Sequence, residues 1–490
     1  MSLEIDAASS ATISVDEVSL EGIQSENGSS VASFTNLNSE PRVWRDLFWL
    51  CIFLVHLMGL GFVVSILGIN RFRAPDRLDI DRYTSGISDN QVGLTETYWP
   101  IFGAAGGIGA FMGFVWLFTL GLQGIQFMKI SIHLLTTYLA VISVLCFWIK
   151  QLFWGITFSV GATLQFLYVL SVIDRIPFTM LVLQKAIEIV WNLPQVIRVS
   201  FGFMVVMLCW MVIWTFGAAG VVASSMGDSG RWWFLVVFSV SLFWTGAVLS
   251  NMVHVVVSGI VFLVLNHDAR QASTIPQIPT LNSLKHAVTT SFGSICYGSL
   301  FTASIRTLRW EIRAVRSKIG NNECLLCLVD FLFHIVETLV RFFNKYAYVQ
   351  IAVNGTSFNH SARDAWELLQ STGVEALVAY DCSGSVLLMA IIIGGLITGT
   401  SVGVYTWFRW RDRLMMVATT SMLMGMVLVS LALVIVESAV TSIYICFAED
   451  PLMIQRWDAE FYDQMSEVFH QRLQYRSARR GFTIKLNQSN

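Results

Sequence analysis

Three polar side chains lie inside long apolar stretches of the sequence, where polar groups are rare. Glu437 lies in the run Leu-Val-Ile-Val-Glu-Ser-Ala-Val, and Asn251 and His254 interrupt a second apolar run. A carboxylate at the centre of a bilayer costs at least about 2.5 kcal/mol, so it is expected to face a partner or a water-filled cavity. The sequence leaves two alternatives open for Glu437, a functional site or a bond to a neighbouring helix.

Aromatic rings accompany these polar residues in the apolar stretches. A quaternary ammonium cannot donate an N–H hydrogen bond, so a site for it needs aromatic faces and a carboxylate at some distance. Rings in membrane helices also face lipid or fill the core, which is the alternative for each of them. The combined prediction is a binding site for a small organic cation formed by Glu437, Trp244, Asn251, His254, Tyr297, Trp210 and Trp214.

Motifs for enzymatic or metal chemistry are missing from the sequence. It has no Walker A loop, no GxSxG and no HExxH. Cys324 and Cys327 form a single CxxC without a second pair, which does not predict a zinc site. Reversible palmitoylation is the alternative for this pair. We predict a protein that is not an enzyme and that uses neither a cofactor nor a metal.

Long apolar segments must position the candidate residues. Of the 490 residues, 55% are hydrophobic and 13% are charged, whereas a soluble chain carries about 25% charge. Helices of about 20 apolar residues cross about 30 Å of hydrocarbon and satisfy their backbone hydrogen bonds internally. The strong segments are 47–69, 99–121, 128–149, 152–173, 200–223, 232–265, 379–406 and 414–447, and a weaker one is 287–305. The sequence predicts an all-α, polytopic transmembrane helical bundle in a lipid bilayer, and its net charge of −2 does not indicate a nucleic-acid partner.

Two further segments are helical but carry polar faces. Between Pro177 and Pro194, Lys185 and Glu188 lie three residues apart, on one face of an otherwise apolar helix. In 331–349 the polar residues recur at three- and four-residue steps: His334, Glu337, Thr338, Arg341, Lys345 and Tyr348. Because a helix with such a stripe usually lies in the membrane surface, we expect 331–349 to do so.

The charge pattern does not give one topology. Basic residues make 306–318 the most basic segment, interpreted as a loop that should be cytoplasmic. A cytoplasmic N-terminus followed by six spans and a crossing at 287–305 would put it on the opposite side. Three alternatives stay open: 287–305 is re-entrant, its helix runs on beyond the membrane, or one span is misassigned.

Small residues mark the predicted close contacts between helices. Small faces let helix backbones approach in lipid, so they predict a compact bundle. The spaced glycines are Gly103 with Gly107, Gly109 with Gly113, and Gly395 with Gly399 and Gly403.

The two ends of the chain differ from the apolar centre. Residues 1–41 are rich in Ser, Glu, Asp and Asn and contain no Lys or Arg, so we expect a disordered cytoplasmic tail and not a signal peptide. Arg42 and Arg45 favour a cytoplasmic N-terminus. The predicted organisation is this tail, a transporter domain at 42–450, and a C-terminal cytoplasmic tail at 451–490.

Four blocks, in one order along the chain, resemble the choline transporter-like family. They are FWTGAVLSN (243–251), SFGSICYGSL (291–300), RFFNKYAYVQIAVNGTSFNHSARDAWELL (341–369) and ESAVTSIYICFAED (437–450). The resemblance covers roughly 230–450 and implies about ten spans, cytoplasmic termini, and transport of choline and also ethanolamine. The first loop, 70–98, is much shorter than that of animal members, so the chain looks more like the fungal, plant and protist branch.

Three functions therefore compete. The favoured one is a plasma-membrane transporter of choline or a related small organic cation. The alternative is a carrier of another solute, or a membrane trafficking or lipid-homeostasis protein of the same fold. A membrane enzyme is the least favoured, because no nucleophile motif, metal cluster or phosphate loop is visible in the sequence.

Overall fold

The described part of the chain is built from helices alone. The computed structural model describes residues 43–68, 94–222, 228–266, 279–319, 323–409, 411 and 414–488, and none of these forms a strand. The predicted tail 1–41 and most of the short loop 70–98 lie outside the described residues. The all-helical prediction is confirmed.

The α-helices are numbered here in chain order. They are α1 Leu47–Val63, α2 Leu94–Trp148, α3 Leu152–Val172, α4 Ile176–Trp191, α5 Pro194–Val222, α6 Asp228–Asn266, α7 Pro279–Val288, α8 Phe292–Ile319, α9 Glu323–Asn354, α10 Phe358–Thr372, α11 Glu375–Tyr380, α12 Ser383–Arg409, α13 Leu414–Glu449, α14 Pro451–Trp457 and α15 Ala459–Gln488. A π-helical turn, Val64–Gly68, extends α1.

Eight helical segments of the described chain are long and apolar enough to cross a membrane. They are Leu47–Ile66, Pro100–Leu122, Lys129–Trp148, Leu152–Trp191, Pro194–Ala218, Trp232–Asn266, Glu375–Arg409 and Leu414–Glu449. Each overlaps one of the eight strong segments predicted from the sequence. The polytopic membrane bundle is thereby confirmed, and the count of about ten spans stays a prediction.

Helix α2 contains two of these spans and folds back on itself. Tyr138 Oη lies 2.7 Å from Thr400 Oγ1 on α12. Ile101 packs in one cluster with Val402 of the same helix. A straight helix would separate Ile101 from Tyr138 by about 55 Å, at 1.5 Å per residue. The chain therefore turns back between the segments Pro100–Leu122 and Lys129–Trp148.

The glycines of α12 allow it to approach α13 closely. A Cβ on Gly395 would lie 2.2 Å from Met426 Cγ, and one on Gly399 would lie 2.7 Å from Met422 Cβ. This confirms the packing predicted from the spaced glycines of α12. The second pair on α2, including Gly109, packs closely against α13 as well. Among the described residues, nothing lies within 4 Å of a Cβ on Gly103 or on its pair member Gly107, so these residues show no close packing at that pair, against the prediction.

Helices α8 and α9 form an antiparallel pair that corrects two expectations. The basic segment 306–318 is part of α8 and not a loop. In the second half of α9, Tyr348 and its neighbours are buried against α6, α8 and α13. The prediction of a surface helix at 331–349 is therefore wrong for that half. Glu337 in the first half receives a hydrogen bond from Arg306 Nε at 2.8 Å.

Several residues of the predicted polar stripe lie outside the described side chains. They are His334, Thr338 and Arg341, and the same holds for Cys324 and Cys327 of the single CxxC.

The C-terminal helices pack against the end of the bundle. Lys185 of α4 forms ion pairs with Glu188, at 3.2 Å, and with Asp458, which precedes α15. This confirms that Lys185 and Glu188 share one face of α4. Asp450 accepts a hydrogen bond from Leu452 N at 3.0 Å and so caps α14, where Pro451 fits the first helical position.

Candidate functional site

Helix α1 presents a row of aromatic side chains to the bundle. Trp49, Phe53 and His56 are spaced by four and three residues, so they share one face of the helix. Phe53 and, two turns further, Leu60 are the buried residues of α1. The row is the face by which α1 packs against α8 and α6.

Rings from α6 and α8 close on this row and complete what we call the aromatic cluster: Trp49, Phe53, His56, Trp244, Phe292 and Tyr297. The Trp244 ring centroid lies 5.1 Å from that of Phe53 and 5.0 Å from that of His56. Trp49 stacks on Tyr297 with 4.6 Å between centroids. These distances mean that the rings touch one another, so the cluster is closed in this structure.

The orientation of Trp244 is fixed by α8. Its Nε1 donates a hydrogen bond to the Cys296 carbonyl oxygen at 2.9 Å, and the side chain is 3% exposed. This carbonyl belongs to the turn of α8 next to Tyr297. The contact therefore fixes the Trp244 ring against the turn of α8 that carries Tyr297.

Polar atoms without partners lie around the cluster. Both ring nitrogens of His56 are buried and have no hydrogen-bond partner among the described residues. The hydroxyls of Ser241 and Thr245 are also buried and have no partner among the described residues. Ser241 lies one turn of α6 before Trp244, and Thr245 follows it directly. A buried polar group normally has a partner, in the protein or in water. The surroundings of Trp244 are thus suited to a water molecule or a polar ligand.

A buried polar network begins two helical turns beyond Trp244. Asn251 Nδ2 donates to Ser299 Oγ at 2.9 Å and to Tyr348 Oη at 3.0 Å. The Tyr348 ring lies 5.8 Å from that of Phe358, which lies 5.4 Å from that of Tyr297. The network therefore continues directly from the aromatic cluster.

His254 extends the network to α13. Its Nε2 lies 3.0 Å from the Lys345 carbonyl oxygen and its Nδ1 lies 2.7 Å from Ser438 Oγ. Since a carbonyl only accepts, Nε2 carries a hydrogen, and in the neutral ring Nδ1 accepts from Ser438. The Ser438 hydroxyl also lies 2.6 Å from the Val434 carbonyl oxygen, so its single hydrogen has two acceptors.

Glu437 lies beside this network. It precedes Ser438 on α13 and is close enough to act electrostatically on His254 and on Tyr346. Lys345 also acts on His254 and on Asp381, the residue that precedes α12. The structure thus groups two carboxylates and one ammonium within the bundle, with Tyr346 among them.

Trp210 and Trp214 lie elsewhere. They pack on α5 against a hydrophobic cluster with Leu60, Val221 and Phe238. Trp214 Nε1 donates to the Phe238 carbonyl oxygen at 2.6 Å. The structure brings together five of the seven predicted site residues and leaves these two in a hydrophobic cluster.

Sequence reasoning missed six residues of this region: Trp49, Phe53, His56, Phe292, Lys345 and Tyr348. Phe53 and His56 belong to the first apolar segment, where their spacing was the available signal. Lys345 and Tyr348 were assigned to a surface stripe, although they lie three residues apart within a block that resembles the family. Among the described residues, no group of three or more His, Cys, Asp or Glu is arranged to hold a metal ion.

Comparisons with known proteins point in one direction. The family model described as plasma-membrane choline transporter matches residues 156–452. A CTL-like protein of Dictyostelium discoideum is 27% identical over 326 residues, which are 65% of this chain and 57% of the relative. Protein PNS1 of Debaryomyces hansenii is 26% identical over 332 residues, which are 61% of this chain and 63% of the relative.

A longer match covers most of the chain. Protein PNS1 of Cryptococcus neoformans var. neoformans is 22% identical over 466 residues, or 88% of this chain and 83% of the relative. In the matches to the first two relatives, by contrast, the chain spans about 57% and 63% of the relative's length. The family match includes all seven predicted site residues and begins after α1.

Proposed function

The chain belongs to the choline transporter-like family, and we propose that it carries choline or a related small organic cation across a membrane. The family's description suggests the plasma membrane as its location. The observation that carries the proposal is the position of α6. This helix connects a closed aromatic cluster to the charged group that contains Glu437, through Trp244, Asn251 and His254.

The chemistry of this arrangement suits a quaternary ammonium. The N-methyl groups of choline have no N–H to donate, so the cation gains from ring faces, at about 0.5–2 kcal/mol for each well-placed ring. Glu437 offsets part of the hydration that the cation loses, and it does so without a specific hydrogen bond. The hydroxyl of choline needs polar partners, and the free polar atoms of Ser241, Thr245 and His56 offer them.

The closed cluster implies that binding requires movement. The rings of Phe53 and Trp244 touch, so a cation can lie between them only after they separate. A carrier needs such a change, because its site has to face each side of the membrane in turn. Separation of these rings is therefore a step of the proposed transport cycle.

Uptake of labelled choline into proteoliposomes tests the proposal. We expect the purified chain to take up choline, and Trp244→Leu to raise the KM for choline about fivefold to twentyfold, the loss of one good ring contact. Trp148→Leu is the matched control, because that ring is 81% exposed on α2 and should leave KM unchanged.

Two results would contradict the proposal. Choline uptake no faster than in empty liposomes would remove choline as the substrate. An equal effect of the Trp244 and Trp148 substitutions would remove the aromatic cluster as the site.

A further inference from the structure

Asp46, directly before α1, has an unusual backbone and distant partners. Its φ of 52° and ψ of 35° lie in the left-handed region, which a residue other than glycine rarely adopts. Its Oδ2 accepts a hydrogen bond from Ser294 Oγ of α8 at 2.6 Å and from the backbone N–H of Phe358, the first residue of α10, at 3.0 Å. One carboxylate thus joins three helices.

Other aspartates before helices in this protein cap their own helices. Asp450 Oδ1 accepts from Leu452 N, and Asp458 Oδ1 accepts from Phe461 N, both at 3.0 Å. Asp46 makes no such bond to α1 and leaves the first turn uncapped by a side chain. A side-chain cap stabilises a helix, and a left-handed backbone at a residue other than glycine costs free energy, so Asp46 is locally unfavourable on both counts. The conformation of Asp46 favours its distant partners over its own helix.

The backbone of Arg45 and Asp46 also lies close to the start of α8. The Arg45 N–H donates to the Thr290 carbonyl oxygen at 3.4 Å. A Cβ on Gly293 would lie 2.5 Å from the carbonyl oxygen of Arg45 and 2.6 Å from that of Asp46. Only glycine fits at 293, because the atoms it faces are backbone atoms that cannot rotate away.

Beyond this junction α1 buries little of its surface in the protein. Only 17% of the residues in its most apolar part are buried. Its other end packs through Val64 against Gly217 of α5. The aromatic row lies between these two attachments. Cys296, which is 0% exposed, lies on α8 directly before Tyr297, whose ring stacks on Trp49 of the row.

We propose that Asp46 is a latch: its bonds to Ser294 and Phe358 hold α1 against α8 and α10 and keep the aromatic cluster closed. Asp46 does not touch the substrate and acts as a positioning residue for the cluster. The proposal that the opened cluster admits an organic cation rests on the proposed function. The proposal that the latch controls opening is independent of it.

Labelling of Cys296 tests the latch without any transport measurement. The purified chain in liposomes is treated with N-ethylmaleimide, and the rates at Cys296 and Cys446 are followed by mass spectrometry. We expect Asp46→Ala to speed labelling of Cys296 roughly tenfold, the effect of losing bonds to a charged group. Cys446 of α13, also 0% exposed, should not change. Asp463→Ala removes an exposed carboxylate of α15 and should change neither rate.

A second pair of variants tests the same latch while keeping Asp46. Gly293→Ala should push the start of α1 away and speed labelling of Cys296, because its Cβ meets backbone atoms. Gly59→Ala is the matched control on α1, since nothing lies within 4 Å of a Cβ there. Asp46→Asn keeps an acceptor oxygen but loses the charge, and should fall between Asp46→Ala and the unchanged protein.

Two outcomes would overturn the latch. One is unchanged labelling of Cys296 in both Asp46→Ala and Gly293→Ala. The other is equal acceleration at Cys296 and Cys446, which would mean that the whole bundle loosens.

Choline uptake gives an independent readout. A latch that opens too readily increases the fraction of chains ready to bind, so the KM of Asp46→Ala should fall while its maximal rate also falls for lack of closure. A raised KM would overturn the latch and assign Asp46 to binding. Should the protein not carry choline at all, the labelling result still decides the role of Asp46.

Discussion

Helix α1 and helix α6 both carry rings of the aromatic cluster, but the protein holds them very differently. In the most apolar part of α6, 67% of the residues are buried inside the protein, and the share is the same in α13. In the most apolar part of α1, only 17% of the residues are buried. Trp244 is held by a hydrogen bond to the Cys296 carbonyl, whereas both nitrogens of His56 have no partner among the described residues. One wall of the candidate site is firmly packed and the other is loosely attached.

The difference shows how a closed site can open without unfolding. Packed cores do not deform continuously, so a movement between two states is absorbed where packing is sparse. Helix α1 meets that condition, because it packs mainly against α8 and is fastened at its two ends. We therefore expect substitutions in α6 and α13 to change stability, and substitutions in α1 to change transport and accessibility.

The largest expected effect is on the stability of the packed wall. Ile435→Ala on α13, where Ile435 is 0% exposed, should lower the free energy of unfolding by about 1–3 kcal/mol. The loss is one of packing, since lipid is as apolar as the protein interior. Met58→Ala on α1, where Met58 is 75% exposed, is the control and should have almost no effect. Thermal unfolding in detergent measures both, and equal losses would mean that α1 is as tightly packed as α13.

Removal of the buried charge should reduce uptake several-fold. Glu437→Gln keeps the shape of the side chain and removes its charge, so expression and membrane insertion should stay near normal while cation uptake falls. Glu460→Gln, at an exposed position of α15, is the matched control. Unchanged uptake would assign Glu437 to structure, and lost expression would point to a buried pairing.

A smaller effect, about twofold, should distinguish the polar atoms of α1 from its rings. His56→Phe keeps a ring but removes both nitrogens. A primary ammonium such as ethanolamine uses hydrogen-bond acceptors that a quaternary ammonium does not need, so ethanolamine uptake should fall more than choline uptake. His133→Phe, at an exposed position of α2, is the control. Equal losses for both cations would mean that the His56 nitrogens contact the hydroxyl that both cations share, and no loss for either would mean that they do not contact substrate.

The tightly packed helices α12 and α13 could be predicted from the sequence. The contacts that α1 makes with the rest of the candidate site could not. Long apolar runs with spaced glycines predict α12 and α13 directly, because both features act within a helix and its nearest neighbour. The first segment was predicted as a span, but nothing in it revealed that Phe53 and His56 meet Trp244. That contact joins residues about 190 positions apart, and local patterns carry no information about such pairs.

The candidate site shows the same limit. Glu437, Asn251 and His254 stand out because a polar residue in an apolar run needs an explanation. Tyr348 and Lys345 were interpreted as part of a surface stripe. A helix with one polar face has the same sequence pattern whether that face meets water or a buried polar network. Asp46 lies before an apolar run and resembles an ordinary helix cap. Only the structure shows that its bonds lead to α8 and α10.

The last expected effect is at the C-terminal end of the bundle, where Asp458 holds α15 against Lys185 of α4. Burial alone would raise the pKa of Asp458, but hydrogen bonds from Lys185 and from the Phe461 N–H outweigh it and hold this pKa below its usual range. A carboxyl with a lowered pKa stabilises the folded state above its usual pKa, and that contribution is lost as the pH falls through the lowered value.

Asp458→Asn should therefore speed hydrogen exchange in the first turns of α15 at neutral pH, by the effect of about 0.5–1 kcal/mol that such a pair contributes. The difference between variant and unchanged protein should shrink as the pH falls below the usual pKa of an aspartate, about 3.9, and should vanish below the lowered pKa of Asp458. Asp463→Asn, at an exposed position of the same helix, should have no effect. A difference that persists in acid would show that the Asp458 carboxylate does not fasten α15 through its charge.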